Sequence, residues 1–298
     1  MRVITFSFLV VLGNLGFAQN FQDQFKEYSR AKDTTKQLET LKAWELNKPS
    51  DPEFFTSAFN FYFSLCQEEF VTINPDRPNG EALEISDSTG TPVGFLGSQI
   101  IYNLGVLQQG LNKIDQGIKL HPNRLDMRFG KIYVLGEISD WDNFTSEVIK
   151  TIHRSSKNNN EWTWTNNQAR DDGQDFFLSS IQTYQNQLFN TENDSLLYNM
   201  RDIAFAILEH YPDHIESLSN ISITYLVLNE YEKGLKPLLK AEKLDNTDIV
   251  VLSNIARAYI LMKNEPKALE YYNKMIQYGN DNDKRFAEAR INELKKTK

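Results

Sequence analysis

Four histidines, one cysteine and a handful of polar triplets are the residues of this chain whose types and spacing could do chemistry. His210 and His214 are four apart, the spacing that puts two metal ligands on one face of a helix, but Pro212 lies between them and a proline there marks a turn. They are expected as turn histidines, and no metal ligand is nominated. Cys66 closes the apolar run Phe61-Tyr62-Phe63-Ser64-Leu65-Cys66 and reads as a small core residue, because a reactive thiol needs an electropositive, accessible setting. Ser29-Arg30-Ala31-Lys32 fits Ser-x-x-Lys, yet neither Ser-Asp-Asn nor Lys-Thr-Gly accompanies it, so the match is taken as chance. Asp281-Asn282-Asp283 lacks the glycine and the distal glutamate of a calcium loop and reads as a polar turn with a helix cap. No glycine-rich phosphate cradle, nucleophile elbow or His-Glu-x-x-His run occurs. The expectation is a non-enzymatic chain with no catalytic residue, no metal and no cofactor.

The elements that would position any site are helical. Forty per cent hydrophobic residues suffice for a sizeable core, and 9 prolines and 14 glycines in 298 residues are too few for the tight turns of a sandwich or barrel. The first residues read as an export signal: Arg2, an apolar run from Val3 to Leu12, and the small-residue site Gly16-Phe17-Ala18 before Gln19. Cleavage after Ala18 takes the net charge from −8 to −9, because Arg2 is the only charged residue lost. That balance argues against nucleic acid and anionic membrane surfaces as partners. No further segment has the roughly 18 apolar residues of a membrane span, so no stable span is expected after signal removal. With a single cysteine, no internal disulfide can form and no lipid-anchor cysteine follows the apolar run. Export with so few thiols suggests a bacterial periplasm, cell surface or secreted location.

The sequence matches itself at a spacing of 34 residues. Leu218-Ser219-Asn220-Ile221 recurs as Leu252-Ser253-Asn254-Ile255, with Tyr225 matching Tyr259, Gly234 matching Ala268 and Leu235 matching Leu269. Leu218, Ile221, Tyr225 and Leu228 recur at threes and fours and so share one helical face. After a break at Asn229-Glu230, a second helix carries Leu235, Leu238, Leu239, Ala241 and Leu244. Two such helices cannot bury their apolar faces alone, and stacking on a neighbouring pair completes the core.

A period of 34 belongs to the tetratricopeptide repeat, and the residues resemble that family. Leu218, Ile221-Ser222, Tyr225, Gly234, Leu238 and Ala241 fit its signature, as do Leu252, Ile255-Ala256, Tyr259, Ala268 and Tyr272 in the next unit. Asn246 and Asn280 stand where proline is commonest, and Met275 replaces the later alanine. The resemblance implies an all-α fold, a right-handed superhelix of antiparallel helix pairs, and a concave groove that holds a protein or peptide partner.

Three more turn signatures extend the pattern: Pro49 after Trp44, Pro122 after Ile118, and Pro212 after Ile207. Phe55, Ala58-Phe59 and Tyr62 then imitate a first helix, as do Phe129-Gly130 and Tyr133, with Trp141, Phe144, Val148 and Ile149 returning. Five or six pairs result. Ala82–Ser86 and Pro92–Leu96, flanking Asp87-Ser88-Thr89-Gly90, predict a small β-hairpin insertion. The expected organisation is a signal peptide at 1–18, irregular helix pairs at 19–67, the hairpin insertion at 68–98, and tetratricopeptide-like helices at 99–154. A polar tryptophan-bearing loop follows at 155–173, then repeats at 174–282 and, at 283–298, a helix that caps the last unit with Phe286, Ile291 and Leu294.

In this register the first helices turn Ser219, Ile223, Leu226, Val250, Ser253 and Arg257 toward the groove, together with Val227 and Ile260. For Leu226, Val227 and Ile260, packing against the neighbouring unit is the equal alternative. The expected function is an interaction scaffold in an envelope complex. The alternative is polysaccharide binding, as in helical-repeat proteins of the starch-utilisation lipoprotein type, with Trp162 and Trp164 stacked on sugar rings beside asparagines; packing of both tryptophans into a gap between helix pairs is the reading preferred for them.

Overall fold

A computed structural model describes residues 20–77 and 82–296. The expected signal segment therefore lies outside the described residues. Contacts divide the chain into two compact units, one ending at Gly117 and the other beginning at Ile118.

Unit 1 opens with α1 (Phe21–Arg30), α2 (Thr34–Asn47) and α3 (Pro52–Leu65). Phe21 stacks on Trp44 at 6.0 Å and Phe54 meets the same indole edge-on at 6.2 Å, so aromatic side chains fill the space between the three helices. The Trp44 indole N–H donates to Asp51 Oδ2 at 2.9 Å, while Asp51 Oδ1 accepts from the Glu53 N–H and caps α3. Cys66 is fully buried and its thiol donates to the Phe63 carbonyl at 3.1 Å, the inert setting expected of a core residue.

A sheet follows: β1 (Gln67–Asn74), β2 (Ala82–Ser86) and β3 (Pro92–Tyr102), then helix α4 (Leu104–Leu120). β2 and β3 form the expected hairpin, with Asp87 Oδ1 accepting from the Thr89 and Thr91 N–H groups to shape its turn. The sequence reading missed β1, which pairs antiparallel with β3 over its whole length, so the insertion is three-stranded in the order β1-β3-β2 and runs from Gln67 to Tyr102. The Asn103 N–H donates to the Cys66 carbonyl at 2.7 Å and closes the base of the sheet. Gly110 of α4 lies so close to α3 that a Cβ would sit 3.0 Å from that of Tyr62.

Unit 2 holds α5 (Leu125–Glu137), α6 (Trp141–Lys157), the short strands β4 (Thr163–Trp164) and β5 (Gln168–Ala169), and α7 (Gly173–Phe189). α8 (Leu196–His210), α9 (Ile215–Val227), α10 (Tyr231–Leu244), α11 (Ile249–Leu261), α12 (Glu265–Tyr278) and α13 (Asp281–Lys296) complete it. α9 and α11 begin 34 residues apart, as do α10 and α12, so the sequence period is the period of the helix pairs. The pairs are α5/α6, α7/α8, α9/α10 and α11/α12. Helix ends at Asn47, Leu120 and His210 agree with the stops read from Pro49, Pro122 and Pro212.

One device makes the turns of α1/α2, α5/α6, α9/α10 and α11/α12. Lys32, Ser139, Asn229 and Lys263 each take a left-handed backbone, with φ of 55°, 57°, 61° and 59°. The next residue's N–H then reaches back five positions: Asp33 to the Tyr28 carbonyl, Asp140 to Leu135, Glu230 to Tyr225 and Asn264 to Tyr259, at 2.8 to 3.0 Å. Asp33, Asp140 and Asn264 go on to cap the following helix through their side chains. Closing one helix and opening the next within three residues leaves an antiparallel pair as the outcome.

Two apolar clusters fill unit 2. Phe129, Phe144, Val148, Ile152, Phe177 and Ile203 belong to the first, and Leu218, Leu238, Leu252, Ile255, Tyr272 and Met275 to the second. In α13, Ala287 and Ile291 are buried against the second cluster and Leu294 leans on it, so this helix covers the last pair as expected. Phe286 departs from that expectation and stays 43% exposed.

Candidate functional site

Helices α7, α9 and α11, the first of their pairs, contribute side chains to two pockets. One, of 340 Å³, takes Gln182 and Phe189 from α7, Ser219, Asn220 and Ile223 from α9, and Val250 from α11. The other, of 460 Å³, takes Ser253, Arg257 and Ile260 from α11, Tyr272 from α12, and Phe286 and Arg290 from α13. Val250 and Ser253 are three apart on one helix, so the same face of α11 borders both pockets.

Five of the six groove residues expected from the sequence line these pockets. Val250 is 63% exposed, Ile223 and Ser253 are half-buried and Arg257 is exposed. Ser219 is buried at the pocket wall with its hydroxyl unpartnered among the described residues. Leu226 is a correction: it is buried and its δ-carbons lie over Gly234 of the partner helix, where the absent Cβ leaves room for them. The packing alternative holds for that residue. Asn220 donates through Nδ2 to Gln182 Oε1 at 2.7 Å, which ties α9 to α7.

The electrostatics of the larger pocket are set by two arginines and one carboxylate. Arg290 donates to Glu293 at 2.8 Å and stacks over the Phe286 ring at 5.2 Å. Arg257 makes no hydrogen bond or ion pair with any described residue. An excess positive charge therefore borders an aromatic and aliphatic wall. The Tyr272 hydroxyl is held above its ordinary range by burial, so it is a neutral donor there at physiological pH.

The tryptophans weighed as sugar platforms pack on the helices instead, the reading preferred for them. Trp162 is 1% exposed and packs on Phe177 at 5.8 Å within the first core cluster. Trp164 is half-buried, edge-on to Phe176 at 5.5 Å, with the Arg170 guanidinium over its ring. Left-handed Asn159, Asn160, Asn166 and Asn167 curl the polar loop back onto the helices. Arg124, buried in full, anchors it with a bidentate pair to Asp126 at 2.9 and 2.7 Å and a bond to Asn167. A loop of this polarity turns inward because its asparagines supply the tight bends and its tryptophans fill the gap.

His210 and His214 do not meet as ligands: the first ends α8, while the second caps α9, its Nδ1 accepting from the Ser217 N–H at 3.3 Å. Burial holds the His214 imidazole below the ordinary histidine range, partly offset by the Glu216 carboxylate. His210 instead meets His153 and Glu209, a cluster the sequence reading did not find because His153 and His210 stand 57 residues apart and converge only through the packing of α6 on α8.

The chain matches no protein-family model and no curated protein. Solved structures with a similar fold include the tetratricopeptide domain of Sgt2 from Aspergillus fumigatus, 21% identical over 40% of this chain and 80% of that one, with a TM-score of 0.35. YrrB, described as a tetratricopeptide protein with an unusual peptide-binding site, is 12% identical over 85% of this chain and 97% of its own, with a TM-score of 0.42. A tetratricopeptide repeat protein from Parabacteroides merdae is 11% identical over 87% of this chain and 79% of its own, with a TM-score of 0.35.

Proposed function

We propose that this chain is a non-enzymatic docking scaffold that holds a protein segment along α9 and α11, and that it works as an exported component of a bacterial envelope complex. The observation that carries the docking reading is the uncommitted face of α11: Val250 is 63% exposed and Arg257 is without a partner among the described residues, each beside a pocket. A helix face left apolar at one end and cationic at the other fits a segment with an apolar anchor and an acidic group. Seven residues of helix separate the two, roughly 10 Å of rise, which an extended peptide crosses in about three residues. The export reading rests on the apolar run from Val3 to Leu12 and the small-residue site ending at Ala18.

The test is recovery of the chain, untagged and under mild conditions, from its native envelope, alongside Arg257→Glu and Val250→Asp variants. A stoichiometric partner is expected with the natural chain and is lost with either variant, with affinity down about tenfold or more, while far-UV circular dichroism is unchanged. Repeated recovery of the chain alone, or a partner indifferent to both substitutions, overturns the reading. The docking reading is preferred to polysaccharide binding because Trp162 is buried.

A further inference from the structure

We propose that His153, Glu209 and His210 bind one divalent transition-metal ion of the zinc class, clamping α6 to α8. The inference is independent of the docking groove, since none of the three residues lines either pocket.

The donor atoms already stand together. His153 Nδ1 lies 2.9 Å from His210 Nε2 and 4.0 Å from Glu209 Oε2, and one ligand atom from each residue falls within 4.8 Å of the others. Zinc takes nitrogen and oxygen ligands at about 2.0–2.2 Å in a tetrahedron, which makes the ligand-to-ligand edge roughly 3.3–3.5 Å. The two measured separations bracket that edge. Opening one by a few tenths of an ångström and closing the other asks only for small side-chain rotations, and the His153 side chain is 42% exposed and has room for them. The two rings stand at 89° to each other with centroids 5.3 Å apart, so they meet edge to face rather than stacked.

The backbone that carries these groups is held on both sides. Asn199 Nδ2 donates to Thr145 Oγ1 at 2.9 Å nearer one end of the α6–α8 contact. At the other end the Ser155 and Tyr211 hydroxyls are 3.2 Å apart, and Tyr211 donates onward to Asn160 at 3.0 Å. Ile152 and Ile207, one and three residues from the histidines, are fully buried between the helices. Arg154, the adjacent cation, is turned onto Asn123 Oδ1 at 2.7 Å and away from the cluster.

Without an ion, the imidazoles satisfy each other by one ring N–H donating to the other ring's lone pair. An ion replaces that single bond with two coordinate bonds and engages the Glu209 carboxylate, whose ion-pair partner among the described residues is His153. Two imidazoles with one carboxylate favour zinc, nickel or copper over magnesium or calcium, which take oxygen ligands. A fourth ligand would be water.

The experiment uses the full untagged chain, freed of metal with a chelator, and titrates it with Zn²⁺ and separately with Co²⁺. Expected are one ion per chain, the visible absorption of tetrahedral cobalt, and a Zn²⁺-dependent rise in Tm. His153→Ala and His210→Ala each lose the absorption and the shift, and Glu209→Gln weakens binding. In the unaltered chain, Zn²⁺ moves the ring-proton resonances of His153 and His210 and leaves those of His121 and His214 in place, a readout that needs no variant to fold. Absence of stoichiometric binding, binding indifferent to the histidine substitutions, or an equal response of all four histidines overturns the proposal.

Discussion

Gly234 of α10 lies directly over Leu226 of α9: a carbon attached at Gly234 would sit 3.0 Å from Leu226 Cδ2 and 3.1 Å from the Ser222 carbonyl oxygen. The two helices of this pair are therefore set at a separation that only a minimal residue permits. Gly234→Leu should force them apart and cost about 1–3 kcal/mol, read as a lower denaturant midpoint at unchanged slope. Gly234→Ala should be far milder, since Ala268 occupies the equivalent place in the next pair and is fully buried.

Glu147 on α6 is buried and receives Arg128 at 3.3 Å and Lys131 at 3.2 Å from α5. Burial presses the Arg128 pKa downward and Glu147 opposes it, so the cation depends on this carboxylate. Glu147→Ala removes the carboxylate that the buried Arg128 depends on, and a loss of about 3–5 kcal/mol is expected by urea denaturation. A Glu147→Ala variant as stable as the natural chain contradicts this.

His214 caps α9 as a neutral imidazole. Its folded pKa is depressed by burial, so the unfolded chain binds more protons than the folded one once pH falls to the ordinary value of about 6.5. The stability that the neutral cap supplies is complete above that value and is lost as pH drops through it toward the folded pKa. His214→Asn keeps a good cap that does not titrate. Its stability relative to the natural chain should thus improve between pH 7.5 and pH 5, a difference measurable by thermal melts at the two pH values; a constant difference sinks the assignment.

Trp162, buried against Phe177, belongs to the core of unit 2. Trp162→Ala should cost about 3–5 kcal/mol, the range for deleting a buried large aromatic. Trp164→Ala, at a half-buried ring, should cost less, and equal losses in chemical denaturation argue against this ranking.

The helix pairs were legible because their apolar residues recur at threes and fours and because the period of 34 repeats whole turns as well as faces. Leu252, Ile255, Ala256 and Tyr272 fell where the repeat placed them, in the second core cluster. β1 was not legible: six of its eight residues are exposed, so no alternation of apolar and polar side chains marks it, and its partner strand is over twenty residues distant. Leu226 was open between groove and packing because helical spacing gives the side of a helix, whereas what covers that side depends on the missing Cβ of Gly234. Trp162 was open between sugar platform and core because a run of asparagines signals polarity in a sequence, yet left-handed asparagines bend a chain inward. The convergence of His153 with His210 leaves no local spacing to read.

The three-stranded sheet carries a consequence for handling the chain. β1 and β2 lie at its two margins, each bonded to β3 on one side only, and Val71, Ile73 and Leu83 are 69 to 72% exposed on them. Strand margins of that kind recruit further strands, and carboxylates at Glu68, Glu69 and Glu84 set like charge along both. Copies meeting margin to margin at neutral pH bring glutamate against glutamate and separate. Dissolved salt screens that repulsion, so storage at high ionic strength should turn a clear solution into one that thickens into sheet-rich deposits.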